Sequence, residues 1–281
     1  MKIVLGGIRG SWPIARPEYL RYGGETTSLL VAGEKGERII FDMGTGARRL
    51  GERLRAEPPA LVNVFFTHFH LDHLIGLPAF APIYDAAFSL EFAAPPHRGQ
   101  AVDDVLPRLL APPFWPLQMD DLHAQIAFRR LPPASDAAPR QLGGLTVSWC
   151  PVAHPDGGTA YRVDEPSTGA SFVLATDVEW QVATPAERAA LEALCRASGP
   201  PGLLLFDGHY SDEEYDAHHG WGHSCMNDAL TLARACDARA VRLIHHAQTH
   251  TDSDLDRLDA EVRRRSPIAA LAREGEEYDG C

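Results

Sequence analysis

The amino-acid sequence predicts an α/β or α+β fold in which mixed β-sheets are covered by helices. Short apolar runs of strand length recur along the chain, each bounded by glycine, proline or polar residues. Early runs follow one another through short turns such as Gly33-Glu34-Lys35-Gly36, whereas later runs alternate with segments of helical periodicity. This order of elements is typical of mixed sheets that carry helices on their faces. The length of 281 residues, 45% of them hydrophobic, favours a single unit that spans residues 1–281.

Eight strands and four helices are predicted within this unit. The strands are Lys2–Leu5, Ser28–Val31, Arg38–Phe41, Leu61–Phe66, Leu145–Cys150, Ser171–Ala175, Leu203–Phe206 and Ala240–Ile244. The helices are Ala47–Ala56, Pro185–Ala197, Cys225–Cys236 and Asp254–Arg265. The second helix has the clearest start, because Thr184-Pro185-Ala186-Glu187 forms a capping box with proline at the first helical position.

The region from about residue 78 to residue 140 differs from the rest of the chain. It contains Pro-Pro pairs that begin at Pro95, Pro112 and Pro132, and it is rich in aromatic residues. Proline disfavours central strands and marks loops. We therefore predict that residues 78–140 form an inserted lid or flap outside the sheet core.

Composition and charge exclude several classes of partner. The chain has 26 basic and 38 acidic residues, a formal charge of −12, which opposes binding to a long nucleic acid through its phosphates. No apolar run approaches the roughly 18 residues of a membrane span, and no signal peptide precedes the first strand, so we expect a cytoplasmic protein without a membrane partner. The five cysteines form no CxxC pair, which argues against a thiolate metal site.

A homodimer is an expected assembly for a protein of this size.

The segment Thr67-His68-Phe69-His70-Leu71-Asp72-His73 carries the strongest chemical signal. It follows the apolar run Leu61–Phe66, so its polar side chains lie at the carboxyl end of a strand, where ligand crevices open in α/β sheets. A lone histidine is usually an ordinary core or surface residue. Three imidazoles and a carboxylate within six residues are costly to assemble unless they bind a metal, so we predict a metal site here.

The pattern His68-x-His70-x-Asp72-His73 after a hydrophobic strand resembles the signature of the metallo-β-lactamase-fold hydrolases. The resemblance implies an αββα sandwich of two mixed β-sheets flanked by helices, with the active site at the sheet edges. It assigns His68, His70 and His154 to one metal and Asp72, His73 and His245 to a second, with Asp177 bridging both. His246 is the alternative to His245, since adjacent strand residues point in opposite directions.

Two divalent ions about 4 Å apart can share a hydroxide near neutral pH and clamp the oxygens of an ester, which predicts hydrolysis. Zinc is the default for nitrogen and carboxylate ligands, although manganese or iron is also possible. Asp42, at the end of the strand Arg38–Phe41, either accepts a hydrogen bond from a ligand histidine or caps a turn.

Two further segments resemble the phosphodiesterase branch of the family, which includes tRNase Z-like and cyclic-nucleotide enzymes. In these relatives a Gly-His-Ser segment supplies a histidine near the leaving group, and an acidic residue orients it. The resemblance implies these roles for His223 in Gly222-His223-Ser224 and for Asp207 in Asp207-Gly208-His209-Tyr210. The predicted catalytic residues are Asp72, His223 as general acid, and Asp207. The resemblance to the opening loops of this branch also suggests Arg9 as a phosphate contact. We expect His209 and His250 to face the pocket mouth.

The expected activity is hydrolysis of a small anionic phosphodiester, such as a cyclic nucleotide, a cyclic phosphate or a short diester. A lactone, carboxylic ester or thioester hydrolase on the same scaffold is the alternative, because the same hydroxide attacks carbonyl carbon. A non-catalytic or redox metal-binding protein is a third possibility, against which the complete ligand set speaks.

Overall fold

The computed structural model describes residues 1–133 and 138–281 and contains two seven-stranded sheets. The first sheet has the order β14-β1-β2-β3-β4-β5-β6, in which β3 to β6 run parallel. Its strands are Lys2–Gly7 (β1), Ser28–Ala32 (β2), Arg38–Phe41 (β3), Leu61–Phe65 (β4), Ser89–Ala94 (β5), Gln125–Arg130 (β6) and Glu277–Asp279 (β14).

The second sheet has the order β13-β12-β11-β10-β9-β8-β7, in which β10 to β13 run parallel. Its strands are Arg140–Leu142 (β7), Leu145–Val152 (β8), Gly158–Glu165 (β9), Ala170–Ala175 (β10), Leu203–Asp207 (β11), Val241–Ile244 (β12) and Ala269–Leu271 (β13). Both sheets are mixed, and helices flank them, so the predicted fold class is confirmed.

In the described residues, five α-helices cover the outer faces of the sheets. They are Ala47–Arg55 (α1), Val102–Leu109 (α2), Pro185–Arg196 (α3), Met226–Ala235 (α4) and Asp252–Arg265 (α5). The α3 capping box is confirmed, because Thr184 Oγ1 accepts a hydrogen bond from the Glu187 N–H at 3.2 Å. No helix among the described residues is long and apolar enough to cross a membrane.

Three apolar layers follow from this arrangement. The central layer lies between the sheets, where Phe41 and Phe65 of the first sheet pack against Tyr161 and Phe172 of the second. The outer layers lie under α1 and α2 on one side and under α3, α4 and α5 on the other. Four structural layers in the order αββα result.

The prediction that residues 78–140 lie outside the sheet core is wrong for two strands. β5 and β6 extend the first sheet in parallel with β4, and Phe92 of β5 is fully buried between Phe66 and Phe128. The proline pairs that suggested a lid lie in the connections beside these strands, where proline is tolerated. A high proline content therefore marked the loops and concealed the strands between them.

Parallel strands bring their carboxyl ends to one edge of each sheet. β3 ends before Asp42, β4 before the histidine-rich segment, β10 before Asp177, and β12 before His245. Because the two sheets face each other, these loop residues meet at a common rim. The fold thus gathers side chains that are far apart in sequence.

Candidate metal centre and active site

The first group of ligand-type side chains consists of His68, His70 and His154. Their imidazole centroids lie 4.5 to 4.9 Å apart, and His154 Nε2 lies 3.1 Å from His70 Nδ1. His154 Nδ1 donates to the Gly222 carbonyl at 2.9 Å, which leaves Nε2 with a free lone pair. His70 Nε2 lies 3.0 Å from Asp156 Oδ2, so Nδ1 is the nitrogen of His70 that faces His154 Nε2.

The second group consists of Asp72, His73 and His245. His245 Nε2 lies 3.2 Å from Asp72 Oδ2 and 3.2 Å from His73 Nε2. All three side chains are buried. The Ser11 backbone N–H donates to Asp72 Oδ2 at 2.9 Å and so helps to hold this carboxylate in place.

Asp177 lies between the two groups. Its Oδ2 is 3.2 Å from His73 Nε2 and 3.4 Å from His245 Nε2, and its Oδ1 is 3.8 Å from His68 Nε2. Burial raises the pKa of Asp177, but the charges of His245 and His73 lower it by more, so the pKa lies well below its usual value. The carboxylate is therefore ionised and faces both groups.

Asp42 holds His73 directly and His68 through Thr67. Its carboxylate accepts hydrogen bonds from His73 Nδ1 at 2.9 Å, from the Thr67 N–H at 2.8 Å and from the Thr67 hydroxyl at 2.8 Å. The Thr67 hydroxyl proton is thereby used, so its oxygen accepts from His68 Nδ1 at 3.1 Å. Asp42 thus fixes the tautomers of two histidines, and the first of the two roles considered for it is the one the structure shows.

Only one of the two adjacent histidines faces the cluster. His245 adopts a left-handed backbone conformation with φ of 61°, which turns its side chain towards Asp72 and Asp177. His246 points the other way, where its Nε2 donates to the Ala272 carbonyl at 3.0 Å and its ring meets Tyr22 edge to face.

The donor set fits two divalent cations. His68 Nε2 is buried and has no hydrogen-bond partner among residues 1–133 and 138–281, a costly state for an imidazole lone pair unless a cation binds it. Burial also lowers the pKa of His68 and of His154, which keeps both rings neutral, as metal ligation requires. Ligand atoms of the first group lie within 4.8 Å of one another, and so do those of the second group.

His223 lies beside the two groups and is oriented by Asp207. His223 Nδ1 donates to Asp207 Oδ2 at 3.0 Å, and Asp207 is fully buried at the end of β11. Burial lowers the pKa of His223, but the charge and hydrogen bond of Asp207 outweigh this effect and raise the pKa to about 8. With Nδ1 engaged, Nε2 is the nitrogen left for proton transfer.

Arg9 is not a phosphate contact, so that prediction is wrong. Its guanidinium is fully buried and donates to the backbone carbonyls of Gly23, Ala247 and His250 at 2.8 to 3.1 Å. The side chain therefore joins the loop after β1 to the loop after β12.

The two histidines expected at the pocket mouth have different positions. His209 is buried and stacks on His223 with 4.1 Å between ring centroids, and it lines the cavity on that side. His250 does not face the cluster, because its Nε2 binds the Glu214 carboxylate at 2.9 Å.

Two acidic residues of the site were missed in the sequence. Asp156, which contacts His70, and Glu179, which accepts hydrogen bonds from the Gly220 and Gly222 N–H groups, each follow a predicted ligand by two residues. A search for carboxylates close in sequence to His154 and Asp177 would have found both.

These two sheets and the rim of histidines and aspartates define a class of protein. Residues 37–246 match the sequence profile of the beta-lactamase superfamily domain, which is well over half of the chain. The chain therefore belongs to this superfamily, with the metallo-β-lactamase αββα fold, and the predicted family is confirmed. It is a hydrolase, as the sequence predicted.

More particular relatives bear the name ribonuclease Z. That of Methanosarcina acetivorans is 22% identical over 265 residues, which cover 80% of this chain and 83% of that protein. That of Pyrococcus horikoshii is 52% identical over 44 residues, but this match spans only 16% of this chain and 14% of that protein. The crystal structure of the short form of human tRNase Z superposes on this chain with a TM-score of 0.72, at 18% identity and with 100% of both chains covered. This similarity shows a shared fold.

Proposed function

We propose that the protein is a dinuclear metal-dependent phosphodiesterase that acts on a small anionic diester. The proposed ligands are those predicted from the sequence. His68, His70 and His154 would hold one ion, and Asp72, His73 and His245 would hold the other. Asp177 would serve as a ligand to both. Zinc is the proposed metal, with manganese or iron as alternatives, because nitrogen and carboxylate donors accept all three.

When bound, two such ions polarise the phosphoryl group and lower the pKa of a water so that it can attack phosphorus near neutral pH. The chain's own residues perform the remaining tasks. Asp42 and Thr67 hold the imidazoles of His73 and His68 in the tautomers that present Nε2. Asp156 holds His70 through Nε2, so His70 presents Nδ1 instead. These contacts fix the site before substrate enters.

The observation that carries the proposal is the His223–Asp207 pair. An alkoxide is a poor leaving group, so cleavage of a diester needs a proton donor at the departing oxygen. His223 lies beside the ligand cluster, 3.9 Å from Asp177 Oδ1, and a pKa of about 8 keeps it largely protonated at neutral pH. A thioester releases a thiolate, which leaves without a proton, so the donor ranks a diester above a thioester.

The choice of a small substrate rests on charge and space. The formal charge of −12 opposes a long polyanion, and the cavities that reach His70, His154 and His223 have volumes of about 320, 470 and 330 Å³, respectively. A structured RNA is the second candidate, because the curated relatives carry the name ribonuclease Z.

A turnover screen tests this proposal. The purified protein, loaded with zinc, manganese or iron, is given bis-p-nitrophenyl phosphate, cyclic nucleotides, a precursor tRNA, lactones and thioesters. We expect turnover of small diesters. Replacement of His223 by alanine should reduce turnover of diesters with alcohol leaving groups by about 100-fold while the metal content is unchanged. Absence of diester turnover with every metal would refute the proposal, and faster cleavage of the tRNA would favour the RNA.

A further inference from the structure

The two sides of the ligand cluster open into different cavities. The cavity beside His70 contains Phe69, His97 and Arg98, and it does not reach His223. The cavity on the other side has a volume of about 330 Å³ and is lined by Ser11, Tyr210, His218, Trp221, His223 and Gln248, among others. The cluster therefore separates a side with the proton donor from a side without it.

A continuous row of rings leads from solvent to His223 along the second cavity. Trp221 meets the His218 ring edge to face at 5.1 Å, and His218 stacks on Tyr210 at 4.4 Å with an angle of 16°. Tyr210 meets His209 edge to face at 4.6 Å, and His209 stacks on His223. Such a row offers both faces and edges of rings to a bound planar group.

The outermost ring is held in place although it packs against little. Trp221 is 64% exposed, which is unusual for a tryptophan, and it lies between Gly220 and Gly222, both with positive φ. The buried Glu179 carboxylate accepts hydrogen bonds from the N–H groups of both glycines and from the Tyr215 hydroxyl at 2.8 Å. A buried carboxylate thus fixes the loop that presents an exposed indole beside the proton donor.

From these contacts we propose that the second cavity is the leaving-group pocket and that it takes a planar ring, such as the base of a departing nucleoside, against Trp221. The inference rests on the proposed function, because it places the departing oxygen next to His223. In that reaction the water oxygen bonds to phosphorus and the bond from phosphorus to the departing oxygen breaks. His223 gives its proton to that oxygen, and the water releases a proton to solvent. A monoester and a free nucleoside result.

The identity of the products tests the direction of binding. Deoxyadenosine 3′-(methyl phosphate) has two cleavable ester bonds. Hydrolysis by the metal-loaded enzyme should give deoxyadenosine and methyl phosphate, since the base occupies the leaving-group pocket. Formation of deoxyadenosine 3′-phosphate and methanol as the main products would overturn the pocket assignment while leaving the phosphodiesterase proposal intact. No cleavage of this or any other diester would overturn both.

Replacement of Trp221 tests the stacking surface. Trp221→Ala should lower kcat/KM for the deoxyadenosine diester by about tenfold, the usual scale of base–aromatic stacking, and Trp221→Phe should lose less. Turnover of methyl propyl phosphate should change less than about twofold. Phe114→Ala, which removes a 77% exposed ring from outside the cavity, is the matched control and should leave both substrates unaffected. An equal fall on both substrates for Trp221→Ala would mean that the loop and His223 had moved, and it would overturn the stacking role.

Discussion

Replacement of Asp207 by asparagine isolates the charge that keeps His223 protonated. Asp207 donates no proton itself, but it accepts hydrogen bonds from His223 Nδ1 and from the backbone N–H groups of His209 and Ser224. Asparagine keeps the shape and loses the charge. In the variant, burial still lowers the pKa of His223, and only the more distant charges of Asp177 and Asp72 raise it. The pKa should therefore return from about 8 to its ordinary value of 6.5 or below.

The magnitude follows from this change in pKa. At pH 8 about half of the His223 rings carry a proton in the native protein, and about 3% or fewer in the variant, a loss of about 15-fold or more in the active form. A general acid acts in its protonated form, so turnover falls as the pH rises through the pKa of His223. In a plot of turnover against pH, the fall on the alkaline side (the alkaline limb) should therefore move to lower pH in Asp207→Asn.

The assay compares two substrates across a pH series. An alkyl diester needs a proton on its departing oxygen and should follow the shifted limb, whereas bis-p-nitrophenyl phosphate releases a stable phenolate and should change little. Asp212→Asn, at a surface carboxylate paired with Arg265, provides the control. An alkaline limb that stays in place in Asp207→Asn, or an equal loss on both substrates, would refute the assignment of His223 as general acid.

Three further perturbations probe the metal centre and its supports. Asp42→Ala removes the partner of His73 Nδ1 and should weaken binding of the second ion by roughly 10- to 100-fold, measured by metal titration; unchanged affinity would contradict the role of Asp42. Glu179→Ala removes the acceptor for Gly222 and should lower the free energy of unfolding by roughly 3 kcal/mol in urea titrations, whereas the exposed Glu213→Ala should have little effect. Chelation should abolish turnover and lower Tm by several degrees, and added zinc should restore both; full activity after chelation would exclude a metal-dependent reaction.

The parts of the fold that the sequence predicted well are the strands that are almost entirely apolar. Leu61–Phe65 is apolar except at Asn63, and Leu203–Asp207 is apolar up to its last residue, so both segments are recognisable as strands from the sequence. Their carboxyl ends then located His68 and Asp207. The apolar pattern of a strand therefore also located these site residues, because they lie at or just after the end of the strand.

The strand β9 was missed for an electrostatic reason. Gly158–Glu165 contains three charged residues, yet the whole strand is buried. Arg162 is fully buried because it pairs with Asp164 at 2.7 Å and donates to the carbonyls of Cys195 and Gly199. Asp164 supplies the countercharge from within the strand, but the carbonyls that accept the other guanidinium N–H groups lie more than 30 residues away along the chain. Local hydropathy therefore cannot reveal it.

The ligand types were predictable, but their supports were not. His68 to His73 lie within six residues, so spacing alone draws attention to them. Glu179 supports a loop more than 40 residues further on, and the relevant hydrogen bonds go to backbone N–H groups that carry no sequence signature.

The division of the rim between the two sheets has a consequence for the order of assembly during synthesis. The four proposed ligands from His68 to His73 leave the ribosome early, whereas His245 follows more than 170 residues later. The early segment by itself lacks the third histidine of the first ion and the last ligand of the second. Complete coordination therefore has to wait until β12 has joined its sheet and the sheets have packed together. For the proposed ligand set, complete coordination of both ions would therefore come late in folding, after the two sheets have packed together.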